Sequence, residues 1–237
     1  MAGKRNAAGP AFRFEPVTDE LWKDLEELFG ERGACGGCWC MAWRKPRREF
    51  DRGKGKANRA SLRALVKSGP PPGILAYHDG QPVGWCAVAP RNQYVALARS
   101  RVLRPLDGVP VWSVSCLFVA KGYRRQGASV ALLKAAIDFV KSQGGSVIEG
   151  YPVLPKTARV ADTFAWTGVL GAFLKAGFRE MPRWSENRPI VRYFLSGAPS
   201  SSTSPGRPRH IWPMRVSGTP WNRPGTRALG GTVNSSS

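Results

Sequence analysis

Between Leu117 and Ser129 an apolar strand pattern runs into a basic, glycine-containing turn and then into a long apolar helix pattern. This junction constrains the chain more than any other stretch. Its residues read Leu-Phe-Val-Ala-Lys-Gly-Tyr-Arg-Arg-Gln-Gly-Ala-Ser. A helix N-terminus leaves backbone N–H groups without partners and carries a partial positive charge, and a turn of small residues lets a bulky anion approach them. Arg124 and Arg125 add full charges beside it. Beyond the turn, Val130, Leu133, Ile137 and Val140 recur at helical spacing and Leu132, Ala136 and Phe139 widen the stripe. The pattern predicts a helix buried on one face that runs to about Ser142. Strand, turn and helix together read as a phosphate cradle for a nucleotide or cofactor. The competing reading of the same residues is a solvated basic turn.

The dinucleotide fingerprint G-x-G-x-x-G is absent, as is the phosphate loop ending in Gly-Lys-Ser/Thr. Val119 followed by Tyr123, then Arg124-x-x-Gly127-x-Ser129 and a leucine-rich helix, resembles the acetyl-CoA-binding motif of the GNAT N-acetyltransferase superfamily. That motif reads Arg/Gln-x-x-Gly-x-Gly/Ala; Ser129 departs from its last position but is still small. Phe173-Leu174-Lys175-Ala176-Gly177-Phe178 resembles the late helix of the same superfamily, where glycine stops the helix in a left-handed conformation and phenylalanine opens the next strand. The resemblance extends from about Phe12 to Leu195, with these two junctions as its specific motifs.

The fold expected from it is α/β (α+β): a mixed, mostly antiparallel sheet flanked by helices on both faces. Alternation and chain breakers give a compatible order. Phe12 to Pro16 reads as a first strand, Thr18 as the N-cap of a helix through Phe29, and Asn58 to Ser68 as a second helix. Ile74 to His78 and Val83 to Val88 form a hairpin around Asp79-Gly80. Val111 to Val119 feeds the turn, Val147 to Val153 follows the helix, and strands from Phe178 and over Ile190 to Leu195 close the sheet. Residues 11–195 are expected to form one acetyltransferase-like domain, between a flexible stretch at 1–10 and a disordered Pro/Ser/Arg-rich tail at 196–237. A chain of 237 residues with 42% hydrophobic content is ample for one core. No apolar run approaches the roughly 20 residues needed to span a bilayer. No apolar segment follows the basic start, so a cytoplasmic location is expected.

The reaction implied by the resemblance is acetyl transfer from acetyl-CoA, as co-substrate, to an amine acceptor. Leu117 and Val119 would pair with the pantetheine arm through backbone groups. The pyrophosphate would sit on the turn formed by Arg124, Arg125, Gln126, Gly127, Ala128 and Ser129. The family's late-helix tyrosine, which protonates the leaving thiolate, corresponds here to Phe173, placed beside the cofactor, and a common asparagine seven residues earlier corresponds to Trp166. The expected base is Glu149, on the strand that forms the other lip of the gap, with Tyr151 two residues on and on the same face. The alternative for Glu149 is a carboxylate paired with an arginine; Asp162 and Glu180 are weaker candidates.

Cys35-Gly36-Gly37-Cys38-Trp39-Cys40 has thiolate-site spacing, but no second Cys/His pair completes four ligands, so no metal is expected and the thiols read as reduced. With Trp39 and Trp43, that loop is expected to cap the acceptor pocket. The net charge is +20, and much of it clusters between Arg44 and Lys67. A surface this basic attracts CoA, an acidic acceptor or nucleic acid. No nucleic-acid motif or aromatic interleaving accompanies the cluster. Two further readings stand beside the enzyme: an acyl-CoA-binding module without catalysis, and a basic nucleic-acid-associated protein on the same scaffold.

Overall fold

Asp79 and Gly80 both adopt left-handed backbone angles (φ 48° and 78°), so strand β2 (Gly73–His78) turns directly back as β3 (Gln81–Pro90). This is the tight hairpin that an Asp-Gly pair specifies. The hairpin belongs to a seven-stranded sheet ordered β1-β2-β3-β4-β5-β7-β6. Its other strands are β1 (Arg13–Pro16), β4 (Trp112–Val119), β5 (Val147–Gly150), β6 (Arg179–Glu180) and β7 (Val191–Phe194). All neighbours run antiparallel except β4 and β5, which are parallel. This computed structural model describes residues 11–154 and 167–195. The expected N-terminal stretch, the tail, Asp162 and Trp166 lie outside the described residues.

Helices cover both faces. Along β2, Ile74 and Ala76 point to one layer while Leu75 and Tyr77 point to the other, and all four are buried. A strand covered on both sides needs such a continuous apolar run. The first layer is built on α5 (Ala128–Ser142) and α6 (Leu170–Lys175), with Leu132, Leu133, Ala136 and Val140 fully enclosed against the sheet. Each large side chain buried there contributes roughly 1.5–3 kcal/mol. The second layer packs α1 (Trp22–Phe29), α2 (Arg47–Arg52) and α3 (Lys56–Ser68) around Trp85, which is 0% exposed. A smaller cluster gathers Tyr94, Leu97 of α4 (Val95–Ala98), Leu103, Tyr151 and Ile190 at the end of the sheet where β4 begins.

Two expectations shift, and two short helices are added. α1 starts at Trp22, not beside Thr18, because the Thr18 and Asp19 carbonyls accept the N–H groups of Leu21 and Trp22 in a preceding turn. β5 ends at Gly150, and Val153 makes only an isolated bridge to Val169. The short helices α2 and α4 lacked enough length to show a period in the sequence.

Candidate functional site

β4 and β5 pair over only three positions, Trp112 with Ile148, Ser113 with Glu149 and Val114 with Gly150. β5 then stops, while β4 continues to Val119 against β3 alone. The register on the β3 side slips at the same place, leaving Ser115 as an extra residue between Val114 and Cys116. A bulge of this kind bends its strand, so the two parallel strands part at Val114. Ala120 donates its N–H to Val83 on β3. By the alternation of an antiparallel ladder, Leu117 and Val119 therefore turn their main-chain groups the other way, into the opening.

β4 delivers the chain to the basic turn. Arg124 folds back, its Nε donating to the Val119 carbonyl at 2.9 Å, and Gln126 donates through Nε2 to the Gly122 carbonyl at 2.7 Å. Arg125 and Gly127 both have positive φ, 62° and 85°. A left-handed residue costs little for glycine but strains arginine, and strain of this kind is concentrated at ligand sites. Such turns direct successive N–H groups to one side and form a concave anion site. Gly127 is the N-cap of α5, which has no side-chain cap. A Cβ built on Gly127 would meet nothing within 4 Å, so the space before the helix terminus is open. Arg125, Gln126 and Gly127 are exposed, Ser129 is half-buried and Ala128 is buried as the helix begins its packing.

On the α5 face of the opening lies Phe173, 0% exposed. A Cβ on Gly150 would come within 2.3 Å of its ring, and one on Gly168 would come within 2.8 Å of both Phe173 and Leu117. The two glycines thus give the ring its room. α6 ends as expected, with Gly177 left-handed at φ 98° and Phe178 packed edge-on to Phe173.

The structure brings Glu149 and Tyr151 together on one face, as expected, but encloses both at 0% exposure. Tyr151 donates to Glu149 Oε1 at 2.8 Å and shares a hydrogen bond with Ser113 at 2.8 Å. Arg91 Nη1 donates to the same Oε1 at 2.7 Å and contacts the phenol oxygen, while its Nη2 holds the Leu103 carbonyl. Arg192 Nε donates to Glu149 Oε2 at 2.8 Å, and its outer nitrogens grip Asp107 at 2.6 and 3.1 Å. Burial, and then the Glu149 charge, push the Tyr151 phenol well above its ordinary value. The hydrogen bonds from Arg192 hold Asp107 below the usual carboxylate range. Glu149 is thus the arginine-paired carboxylate of the alternative reading, sealed from solvent by two guanidiniums and a phenol. A base needs access to the amine proton, and here both Glu149 oxygens are engaged by Arg91, Tyr151 and Arg192. Glu180 is exposed on β6, beside Arg183. Arg91, Asp107 and Arg192 are the residues the sequence reading missed. The pairs they form, Arg91 with Glu149, Arg192 with Glu149 and Arg192 with Asp107, span 58, 43 and 85 positions, beyond any local pattern. One signal was available: Arg192 follows Ile190 and Val191 in an apolar strand, where an inward charge demands a partner.

The cysteine loop lies on the opposite face of the opening from Phe173. Together with α2 and β4 it borders a cavity of about 400 Å³ reached by Cys35, Cys38, Trp43, Ser115, Cys116 and Phe118. Gly33, Gly36 and Gly37, all left-handed, let the loop curl tightly, and a Cβ on Gly37 would strike the Gly55 nitrogen at 2.6 Å. Burial raises the Cys35 thiol, and a hydrogen bond with Cys40 together with burial raises Cys38, so these groups are neutral thiols. All five cysteines are free, and among the described residues no group of three or more His, Cys, Asp or Glu is arranged to hold a metal. Among the described residues no helix is long and apolar enough to cross a membrane.

Residues 38–151 match the model of the acetyltransferase (GNAT) family. Solved structures similar to this chain include a PaiA N-acetyltransferase from Thermoplasma acidophilum in complex with coenzyme A, at 12% identity and TM-score 0.44, covering 78% of this chain and 99% of that one. A GNAT-family acetyltransferase from Listeria monocytogenes is 9% identical at TM-score 0.49, with 78% and 95% covered. A ribosomal-protein-alanine N-acetyltransferase from Brucella melitensis is 14% identical at TM-score 0.44, with 77% and 99% covered. No curated protein sequence matches the chain.

Proposed function

Because residues 38–151 match the model of the acetyltransferase (GNAT) family, we propose that the chain transfers an acetyl group from acetyl-CoA to the primary amine of a small-molecule or protein acceptor. The observation that carries this reading is the way β4 leaves β5 at Val114 and runs straight into the left-handed turn at the N-terminus of α5. One element thereby turns backbone groups of Leu117 and Val119 toward the opening, with Arg124 holding the Val119 carbonyl, and supplies at its end an anion cradle. The open space before Gly127 fits a pyrophosphate, with the N–H groups from Arg125 through Ser129 as donors and the exposed Arg125 as a counter-charge. Leu117 and Val119 align the acyl arm as an added strand would, and the parted strands bring the acceptor to it from the other face. The protein's contribution to rate is then mainly the mutual placement of two substrates.

Proton handling falls outside the Glu149 cluster. Tyr151, with its raised value, remains a phenol that spends its hydrogen on Glu149. We assign this cluster to holding the strand ends and the segment around Asp107, not to acid–base chemistry. Phe173 has no proton to give. A thiol ionises near pH ~8.5, so a thiolate leaves without an obligatory donor, and water reaching the open cavity serves the amine proton. The same phenylalanine favours a second reading, an acyl-CoA-binding module that does not turn over. Release of free thiol from acetyl-CoA over an amine panel decides between them. Amine-dependent thiol release is the expected result; acetyl-CoA binding without release from any amine would establish the binding module instead.

A further inference from the structure

The cavity beside the parted strands has a chemical character of its own. Its wall is soft and apolar: Trp43, Phe50 and Phe118 supply rings, and the neutral thiols of Cys35, Cys38 and Cys116 supply weakly polar sulfur. Its charged lining is of one sign, Arg47 and Lys54, with no aspartate or glutamate among the lining residues. Those two cations share a single carboxylate just outside the cavity, Asp51, which contacts Arg47 Nε and lies 2.9 Å from Lys54 Nζ. One positive charge at the rim is left uncompensated by that group. Ser115, the bulged residue, and Cys116 form the inner wall where β4 has already left β5, so a ligand here abuts the opening assigned to the acyl arm.

We propose that this cavity receives the acceptor and selects an amine whose apolar or aromatic body carries an anionic group, such as a carboxylate, at the Arg47 and Lys54 rim. The inference rests on the acetyltransferase reading and adds the acceptor class to it. A polyamine or other multiply cationic acceptor finds no carboxylate along this wall and meets two like charges at the rim. An acidic substituent meets two charged donors, and a hydrogen bond to a charged group is stronger than one between neutral partners.

Half-buried Cys35 provides a reporter that does not depend on turnover. Its alkylation by N-ethylmaleimide, followed by mass spectrometry, is measured against increasing para-aminomethylbenzoate, the matching benzamide and spermidine, and thiol release is followed with the same three amines. The acid is expected to protect Cys35 at concentrations about tenfold lower than the amide, and to exceed it about tenfold in kcat/KM, the effect of one charge-assisted contact. Spermidine is expected to do neither. The Arg47→Gln, Lys54→Gln double variant is expected to abolish the difference between acid and amide while acetyl-CoA affinity stays unchanged. These side chains are 83% and 47% exposed, so the core is undisturbed. Equal protection by acid and amide, protection by spermidine, or no protection by any of the three overturns the inference. Failure of the wild type to bind acetyl-CoA or to release thiol overturns the acetyltransferase reading instead, and Cys35 protection still reports the charge preference.

Discussion

Replacing Glu149 by glutamine removes the one negative charge that faces both Arg91 and Arg192, and turns one of two accepting oxygens into a donor aimed at a guanidinium. All three side chains are largely enclosed, Glu149 and Arg192 almost completely (1% and 2% exposed) and Arg91 to 13%. Breaking a buried pair by neutralising one partner costs about 3–5 kcal/mol, because the remaining charges stay desolvated. For a chain of this size each kcal/mol lowers the midpoint by ~2–4 °C, so Tm should fall by roughly 6–20 °C. Asp107→Asn breaks the same ladder at its outer end, where the side chain is 36% exposed, and should cost about 1 kcal/mol or less after solvent screening. Urea and thermal unfolding of the two variants, alongside kcat in the thiol-release assay at a temperature where both are folded, separate the roles. The structural assignment requires a large stability loss in Glu149→Gln with kcat changed only modestly. An unshifted Tm with kcat reduced by about 10²–10⁴, the range of a lost general base, would refute it.

Three further outcomes follow from the geometry. Gly150→Ala places a Cβ within 2.3 Å of the Phe173 ring, so the ring must shift, at a cost of about 1–3 kcal/mol by urea unfolding; wild-type stability would show that the ring is not confined as described. Burial raises the Cys86 thiol far above its ordinary value, and Cys40, through its hydrogen bond with Cys116 and through burial, is raised as well. Their folded values exceed the unfolded ~8.5, so this stabilisation is complete below that pH and is lost as pH climbs above it toward the folded values. Unfolding free energy should therefore decline from about pH 8.5 upward, with a shallower decline in Cys86→Ala; an unchanged slope in that variant would count against the buried thiol. Phe118→Ala opens the wall of the 400 Å³ cavity and should raise KM for the acceptor while leaving acetyl-CoA affinity alone; a loss of acetyl-CoA affinity would place the acyl arm in that cavity instead.

Local chemistry was legible wherever one segment carries the whole signal. Asp79-Gly80 specifies its hairpin, Gly177 takes the left-handed angle its neighbours imply, and the stripe from Val130 to Val140 gives α5 to its last residue. The order of strands along the chain was readable for the same reason. What depends on contacts between distant segments was not. Nothing near Glu149 in sequence announces that Arg91 and Arg192 close over it, so a buried structural carboxylate and an active-site base looked alike. The parting of β4 from β5 follows from the residues they pair with and from the bulge at Ser115, and neither leaves a mark in hydrophobic periodicity. The cysteine loop was recognisable as a special segment, but its role as a cavity wall depends on Ser115, Cys116 and Phe118, which come from another strand.

The most direct test of the central claim is a calorimetric titration of acetyl-CoA into the wild type and into Gly127→Glu. A Cβ at this position meets no atom within 4 Å, so no packing is displaced, while a left-handed non-glycine residue and a carboxylate are placed in the mouth of the cradle. Saturable binding by the wild type, weakened at least about tenfold in the variant as one lost or repelled charge-assisted contact requires, is the predicted result. Equal binding by both proteins, or none by the wild type, would contradict the placement of the CoA pyrophosphate at the N-terminus of α5.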